Sequence, residues 1–469
     1  MERIELPIVG AAYADDTKTI ANQDSINYYP EAVEVDGGRV VKALKGTPGL
    51  SAFTAGLNSA VRGMRVMNGV LYVVAGTLLY SVDAAGTATS LGTVPGSDHV
   101  GMTENGVQLV VVNGPEGYVY NRNTATFAQI TDPDFLGSDT CAFLDQYVIF
   151  NDPDTEDFYI SALEDATSFD ALDIQATESR TDKLVAVAVF QRRLVAFGAA
   201  SIEVYENTGA SDFPLERVPG VEIEVGCGAK HSVAQLSTGI YWLGSDGRFY
   251  GAVGYQAEPI STRAIEQELS DETLAECIAW SYEDQGHKFI VWTFPHGRTY
   301  VYDASVGDPR IAWHHRTSYG YDNGRAIAYA RCYGKHLVGD SVAGNLFEMS
   351  RDVFQENGGP LISERYGQYY HQNGLAIRIC DVELVFDTGN GLPSGQGSDP
   401  KCELRYSLDY GRTWTDWEQG SLGTTGQSDA RVRFGGPGTV RQCMFHVRVS
   451  DPIKRDFLGA YAYVEAGAN

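Results

Sequence analysis

The feature that most constrains this chain is a hairpin written seven times. Each copy has a turn, an apolar strand, a tight polar or glycine turn, and a second strand that usually carries Tyr or Phe. The copies are Gly69–Val82, Gly106–Tyr120, Asp145–Ile160, Gln191–Tyr205, Thr238–Tyr250, Gln285–Tyr302 and Tyr333–Met349. Their apolar strands begin at Val70, Val107, Tyr147, Leu194, Ile240, Lys288 and His336, spaced by 37, 40, 47, 46, 48 and 48 residues. A lone hairpin is marginal in water because its apolar face stays wet. Stacked hairpins at a period of 40-odd residues cover each other's faces, which predicts that they are the inner strands of β-propeller blades. The near-continuous apolar runs Leu109–Val112 and Phe289–Trp292 fit strands covered on both faces by neighbouring blades.

The repeat predicts an all-β chain whose residues 56–365 form a propeller of six or seven blades. Residues 1–55 lack clear periodicity and read as an N-terminal arm that closes a blade or reaches a neighbour. Residues 366–469 change pattern. Strands at Ala376–Phe386, Cys402–Ser407, Ala430–Phe434, Gln442–Val449 and Phe457–Val464 alternate apolar and polar, which predicts a separate antiparallel β-sandwich. The exception to all-β is Ser261–Leu269 with Ser270–Trp280, where Ser starts, early acids and helical spacing predict one or two short inserted helices. Glycine at 52 of 469 residues and 27 tyrosines suit short strands joined by tight turns.

Charge narrows the partners. The chain has 35 Lys+Arg against 61 Asp+Glu, a net charge of −26, so sequence-reading of nucleic acid is a poor expectation. Residues 401–469 carry nine basic and eight acidic side chains, leaving −27 on residues 1–400. From Asn123 to Ser179 there are 13 acids and no Lys or Arg. Seven scattered cysteines, never as C-x-x-C, argue against a zinc ribbon and a disulfide framework and fit folding in a reducing cytoplasm. Met1–Glu5 shows no signal-peptide core, and no apolar run reaches 18 residues, so membrane insertion is not expected.

Two motifs stand out. Ser407, Asp409, Gly411, Thr413 and Trp414 form the S-x-D-x-G-x-T-W pattern of the Asp box, a turn motif of sialidases and other β-proteins. Its physics is local: Asp409 accepts from turn amides, Gly411 permits positive φ, and Trp414 anchors the hairpin. Asp152, Asp154, Glu156 and Asp157, at the tip of the third hairpin, resemble the start of a calcium loop. The Gly and Glu that complete such a loop are missing, so a solvated turn is expected rather than a metal site. His314 and His315 are adjacent on a strand, point to opposite faces and cannot share a metal. No catalytic motif, metal set or cofactor loop is present, so neither an enzyme nor a cofactor is expected.

A series of ordered segments carries a resemblance. They are Ile26–Pro30, Leu44–Leu50, Phe197–Tyr205 with Thr208-Gly209, Gly226–Ala229, Pro259–Glu266 and Tyr300–Ser305. In order and spacing the chain resembles the packaged-DNA stabilisation proteins, or tail hub (nozzle) proteins, of short-tailed bacteriophages. The resemblance implies a non-enzymatic virion protein, assembled in the host cytoplasm. It implies a homo-oligomer, six copies ringed below the portal and its adaptor, that extends the DNA channel and retains the genome. It also implies docking of a tail needle or tip and of tailspikes or fibres, with double-stranded DNA passing unread. On that view the acids at 152–157 face the channel or its rim. The Asp box keeps a second reading open, a propeller that binds or cleaves glycan, which a converging cluster of Arg, Glu and Tyr in one pocket would favour.

Overall fold

The computed structural model describes residues 2–14, 22–35, 38–178, 182–372 and 374–466. Met1, and Ser179 at the end of the acid-rich stretch, lie outside the described residues.

Seven four-stranded antiparallel sheets close into a ring. The first six blades run in chain order. Their innermost strands are Val61–Met67, Gly101–Glu104, Cys141–Leu144, Leu184–Phe190, Ala234–Leu236 and Ile278–Asp284. The seventh blade takes Ala326–Cys332, Lys335–Asp340 and Leu346–Ser350, and borrows Gly49–Thr54 as its outermost strand. The propeller is thus closed by strand pairing between residues far apart in the chain, Ser350 opposite Gly49 and Leu346 opposite Thr54. Gly49 is required there, because a Cβ would lie 2.4 Å from the carbonyl oxygen of Val353 and 2.5 Å from that of Gln355.

The repeated hairpins form the second and third strands of each blade rather than the innermost pair. Their side chains feed alternate cores. Leu109 and Val111 join the core between blades 1 and 2, whereas Val110 and Val112 join that between blades 2 and 3. Phe289 and Val291 pack between blades 6 and 7, and Ile290 and Trp292 between blades 5 and 6. This explains why these strands read as unbroken apolar runs. At about 1.5–3 kcal/mol for each fully buried large side chain, neither face can be given up.

The expected helices reduce to one, Arg263–Leu269, capped by Thr262, whose hydroxyl accepts from the Ile265 amide at 3.4 Å. The second is a single 3-10 turn, Leu274–Glu276. Trp280 lies instead in the innermost strand of blade 6, where it packs against Tyr282 and Tyr329. Helical spacing in this stretch lost to the pairing offered by His287–Thr293. No helix among the described residues is long and apolar enough to cross a membrane.

The C-terminal sandwich packs two sheets on one core that includes Ile379, Cys402, Cys443, Phe445 and Phe457. Strands of residues 1–55 are shared between the two halves: Glu2–Glu5, Tyr28–Val35 and Gly38–Gly46 belong to the sandwich, and Gly49–Thr54 to blade 7. Ser25–Ile26 bridges the rest. It pairs in parallel with Trp313–Arg316, the outermost strand of blade 6, and antiparallel with Ser363–Tyr366 of the sandwich. One ten-stranded sheet therefore runs from the propeller into the sandwich without a break.

Two buried arginines lock this junction. The Arg365 Nε donates to Ile8 O at 2.7 Å, and its Nη2 to Ala11 O at 2.8 Å and Gly10 O at 3.2 Å. Burial lowers its pKa to about 10 despite the nearby Asp24 charge, so it stays cationic at neutral pH. Arg455 donates to Leu361 O and, at 2.8 Å, to Phe354 O, which pins the inter-domain linker.

Candidate functional site

The acid-rich tip turns between Tyr147–Asn151 and Asp157–Ala162 of blade 3. The Asp152 amide donates to Asp157 O at 3.0 Å, and Thr155 caps the turn through its hydroxyl, 3.0 Å from Asp152 O. Asp154 takes the left-handed conformation at φ 65°. The four carboxylates do not converge. Asp154 accepts from Lys183 Nζ at 2.8 Å, and that hydrogen bond and charge hold it below the usual range although both groups are well exposed. Partial burial, together with the neighbouring Asp157 charge, raises Asp152. No group of three potential metal ligands occurs among the described residues.

This tip lies at the end of the propeller where the innermost strands begin. At the same end the central channel is bridged. His99 precedes blade 2 and His231 precedes blade 5, yet their rings meet edge to face at 4.8 Å, which only residues lying across the axis can do. Burial, then the Arg62 charge, drives His99 down to about 4, and burial drives His231 well below its usual value, so both are neutral. Lys230 adds a second bridge to Asp139 at 2.7 Å. Behind them the channel is a cavity of about 500 Å³ lined by Arg65, Glu104, Phe143, Val187, Trp280 and Tyr329 among others. That is the size of a small-molecule pocket, far too small for a nucleic-acid duplex.

The Asp box forms the local network its sequence predicts. Asp409 Oδ1 accepts from the Thr413 amide at 2.8 Å and Oδ2 from the Thr413 hydroxyl at 2.6 Å. The Ser407 hydroxyl donates to Asp409 at 2.8 Å and accepts from the Gly411 amide at 2.8 Å, with Gly411 at φ 80°. The Thr413 and Ser407 hydrogen bonds draw the Asp409 carboxyl down to about 2. Trp414 packs edge-on to Tyr366 and His446 and lies under the Arg405 guanidinium.

Beneath it lies a cluster that the sequence did not single out. Buried His446 bonds Glu364 at 2.8 Å through Nε2 and accepts from Arg405 Nε at 3.0 Å through Nδ1, and Tyr366 stacks on its ring at 3.7 Å. Burial lowers the pKa of His446. Burial opposes ionisation of Glu364, but His446, Arg448 and Arg405 together hold it below the usual range. Arg, Glu and Tyr do converge here, and the Trp417 ring stacks on both guanidinium groups, 4.4 Å from Arg405 and 4.2 Å from Arg448. Alternation along Ser363–Tyr366 and Gln442–Val449 places these residues on one face of a sheet, but only the fold shows that they meet.

The fold is thus a seven-bladed propeller fused through one continuous sheet to a β-sandwich. The comparisons place it more closely. The family model described as Bacteriophage P22 Gp10, beta-propeller, matches residues 4–354, and that described as Bacteriophage P22 Gp10, beta-sandwich, matches residues 363–465. The chain belongs to the P22 Gp10 family. A curated relative, the tail hub protein gp10 of Salmonella phage P22, is 25% identical over 330 residues, covering 63% of this chain and 66% of the relative. The match thus spans just under two thirds of that protein's length. Solved structures with a similar outline include the extracellular domain of a putative hybrid two-component system from B. thetaiotaomicron. It is 10% identical, with 82% of this chain and 47% of that one covered and a TM-score of 0.45. BamB from Moraxella catarrhalis is 9% identical, with 75% and 98% covered and a TM-score of 0.39. Likeness at that level says nothing about function.

Proposed function

We propose that this protein is a non-enzymatic tail hub of a short-tailed phage. Copies, six by family resemblance, form a ring below the portal-adaptor that extends the DNA channel and retains the packaged genome. The ring docks the tail needle or tip and the spikes or fibres. The observation that carries this reading is the family match across both domains, joined by the name of the curated relative. The closed channel supports a ring of copies, since no duplex threads a single propeller blocked by His99 and His231. Seven unpaired thiols support assembly in the reducing host cytoplasm.

The acidic surface fits passage of a polyanion. B-DNA carries one charge per about 1.7 Å of axis, and a basic lining would bind it by counterion release. An acidic lining repels the duplex and keeps it sliding. Asp152, Asp154, Glu156 and Asp157 therefore face the ring opening or its rim, with Lys183 neutralising part of the charge at Asp154. The test replaces these four acids with Lys. Ring assembly should persist, DNA release should slow, and the delay should shrink as salt rises. Normal release at low ionic strength from a fully assembled variant sinks the channel role of this tip.

A further inference from the structure

Among the described residues two surfaces carry no ion pair or packed partner, one on blade 3 and one on the sandwich. The first is on the outer edge of blade 3. In the strand Asp165–Ala176, Phe169 pairs with Ser161 and Ile174 with Tyr159, so residues 170–173 bulge out of the ladder. Leu172 crowns the bulge at 82% exposure, flanked by Asp170 and Asp173. Neither carboxylate forms an ion pair among the described residues. Partial burial and the Asp170 charge raise the pKa of Asp173, as expected of a like-charge pair lacking a counter-cation.

The second surface is on the sandwich beside the Asp box. Tyr369 and Tyr410 lie 4.7 Å apart, and both hydroxyls donate to Gln442 Oε1, which fixes the rings side by side. Leu408 and Leu375 flank them at 47% and 53% exposure. Arg412 and Arg441 are exposed at the border and form no ion pair among the described residues. On a chain of net charge −26 the bordering segments are unusual, since residues 366–380 and 435–450 contain no acid, and the carboxylate between Leu408 and Tyr410, Asp409, is already bonded to Ser407 and Thr413. Rigid tyrosines bordered by arginine have the composition of interface hot spots.

Placement makes the pair useful. The sandwich is attached at blades 6 and 7, through Trp313–Arg316 and Gly49–Thr54. In a ring of seven blades, blade 3 is three steps from either, diametrically across the propeller. A knob on one side and a different, complementary patch on the other is what a head-to-tail contact requires, and such contacts close into rings.

We infer that the Leu172 knob of one copy seats against the Tyr369–Tyr410 patch of the next, with Asp170 and Asp173 facing Arg412 and Arg441. The occupant of the patch is a second copy of this chain. The inference rests on the proposed ring and specifies its seam.

The experiment uses the full chain and sedimentation velocity over a concentration series at low and high salt. Variant one carries Asp170→Arg with Asp173→Arg, and variant two carries Arg412→Glu with Arg441→Glu. All four positions are at the surface, and thermal melts overlaying wild type establish that folding is intact. Each variant alone should need at least roughly tenfold more protein for half-assembly. Mixed in equal amounts, the two should assemble again, because the basic knob of one meets the acidic patch of the other. Leu172→Ser should weaken assembly in a salt-independent way. If either charge reversal assembles like wild type, or the mixture stays dissociated, the seam is elsewhere while the ring stands. If wild type never self-associates, the seam and the ring reading fall together.

Discussion

Glu356 sits on the linker that leaves blade 7, and its backbone pairs in parallel with Leu50 on the outermost strand of that blade. Its carboxylate accepts from the Ser318 hydroxyl at 3.1 Å. Arg325, whose charge acts on it, is already committed as a two-pronged ion pair with fully buried Asp340, at 3.0 and 2.7 Å. Burial therefore dominates, and the Glu356 pKa rises from 4.5 to about 7. A raised carboxyl favours the folded state only while protonated. Its contribution is complete below pH 4.5 and is lost as pH climbs through 7. At roughly 1.36 kcal/mol per pKa unit, the loss above pH 8 is on the order of 3 kcal/mol. Glu356→Gln keeps the acceptor for Ser318 and removes the ionisation. In urea unfolding followed from pH 5 to pH 9, wild type should lose about 3 kcal/mol more than the variant over that range, with the two nearly equal at pH 5. Parallel profiles across the range, or a variant weaker at every pH, would refute the reasoning.

Two further outcomes follow from the same structure. Asp409→Ala should destabilise the sandwich at neutral pH, because Ser407 and Thr413 lose their shared acceptor. The lowered Asp409 carboxyl contributes above pH 3.8 and loses its effect as pH falls through about 2, so the wild-type advantage in near-UV dichroism melts should vanish there. Arg365→Met should cost about 3–5 kcal/mol by stranding the carbonyls of Ile8, Gly10 and Ala11 in the interior. Limited proteolysis should then cut the N-terminal segment well before the propeller.

How much of this was legible depends on whether a residue's partners are near in sequence. The hairpin strands were plain because burial on both faces leaves an unbroken apolar run, as at Leu109–Val112. The innermost strands were not, because Gly101–Glu104 and Ala234–Leu236 are too short to show a period. Gly49–Thr54 reads locally as any short strand, and nothing in it reports a partner so far along the chain. The Asp box was readable to the atom because it is a turn that bonds to itself. Glu356, Arg365 and the His99–His231 pair owe their properties to distant chain and left no local signal. The acids at 152–157 were legible as composition, but the pairing of Asp154 with Lys183 came only with the fold.

Closing the seventh blade with Gly49–Thr54 has a consequence for the chain as it is made. That strand leaves the ribosome early and waits for Leu346–Ser350. At about 5–20 residues per second the wait is roughly 15–60 s. Gly38–Gly46 waits longer still, until Phe457–Ala466 has been added. Blades 1 to 6 can form in order as they emerge, each covering the last, while Gly49–Thr54 and the outer edge of Gly38–Gly46, paired so far only with Tyr28–Val35, stay open to wrong partners. The molecule is therefore most exposed to misassembly until residues 346–466 have been added, and most of its long-range pairing arrives with them.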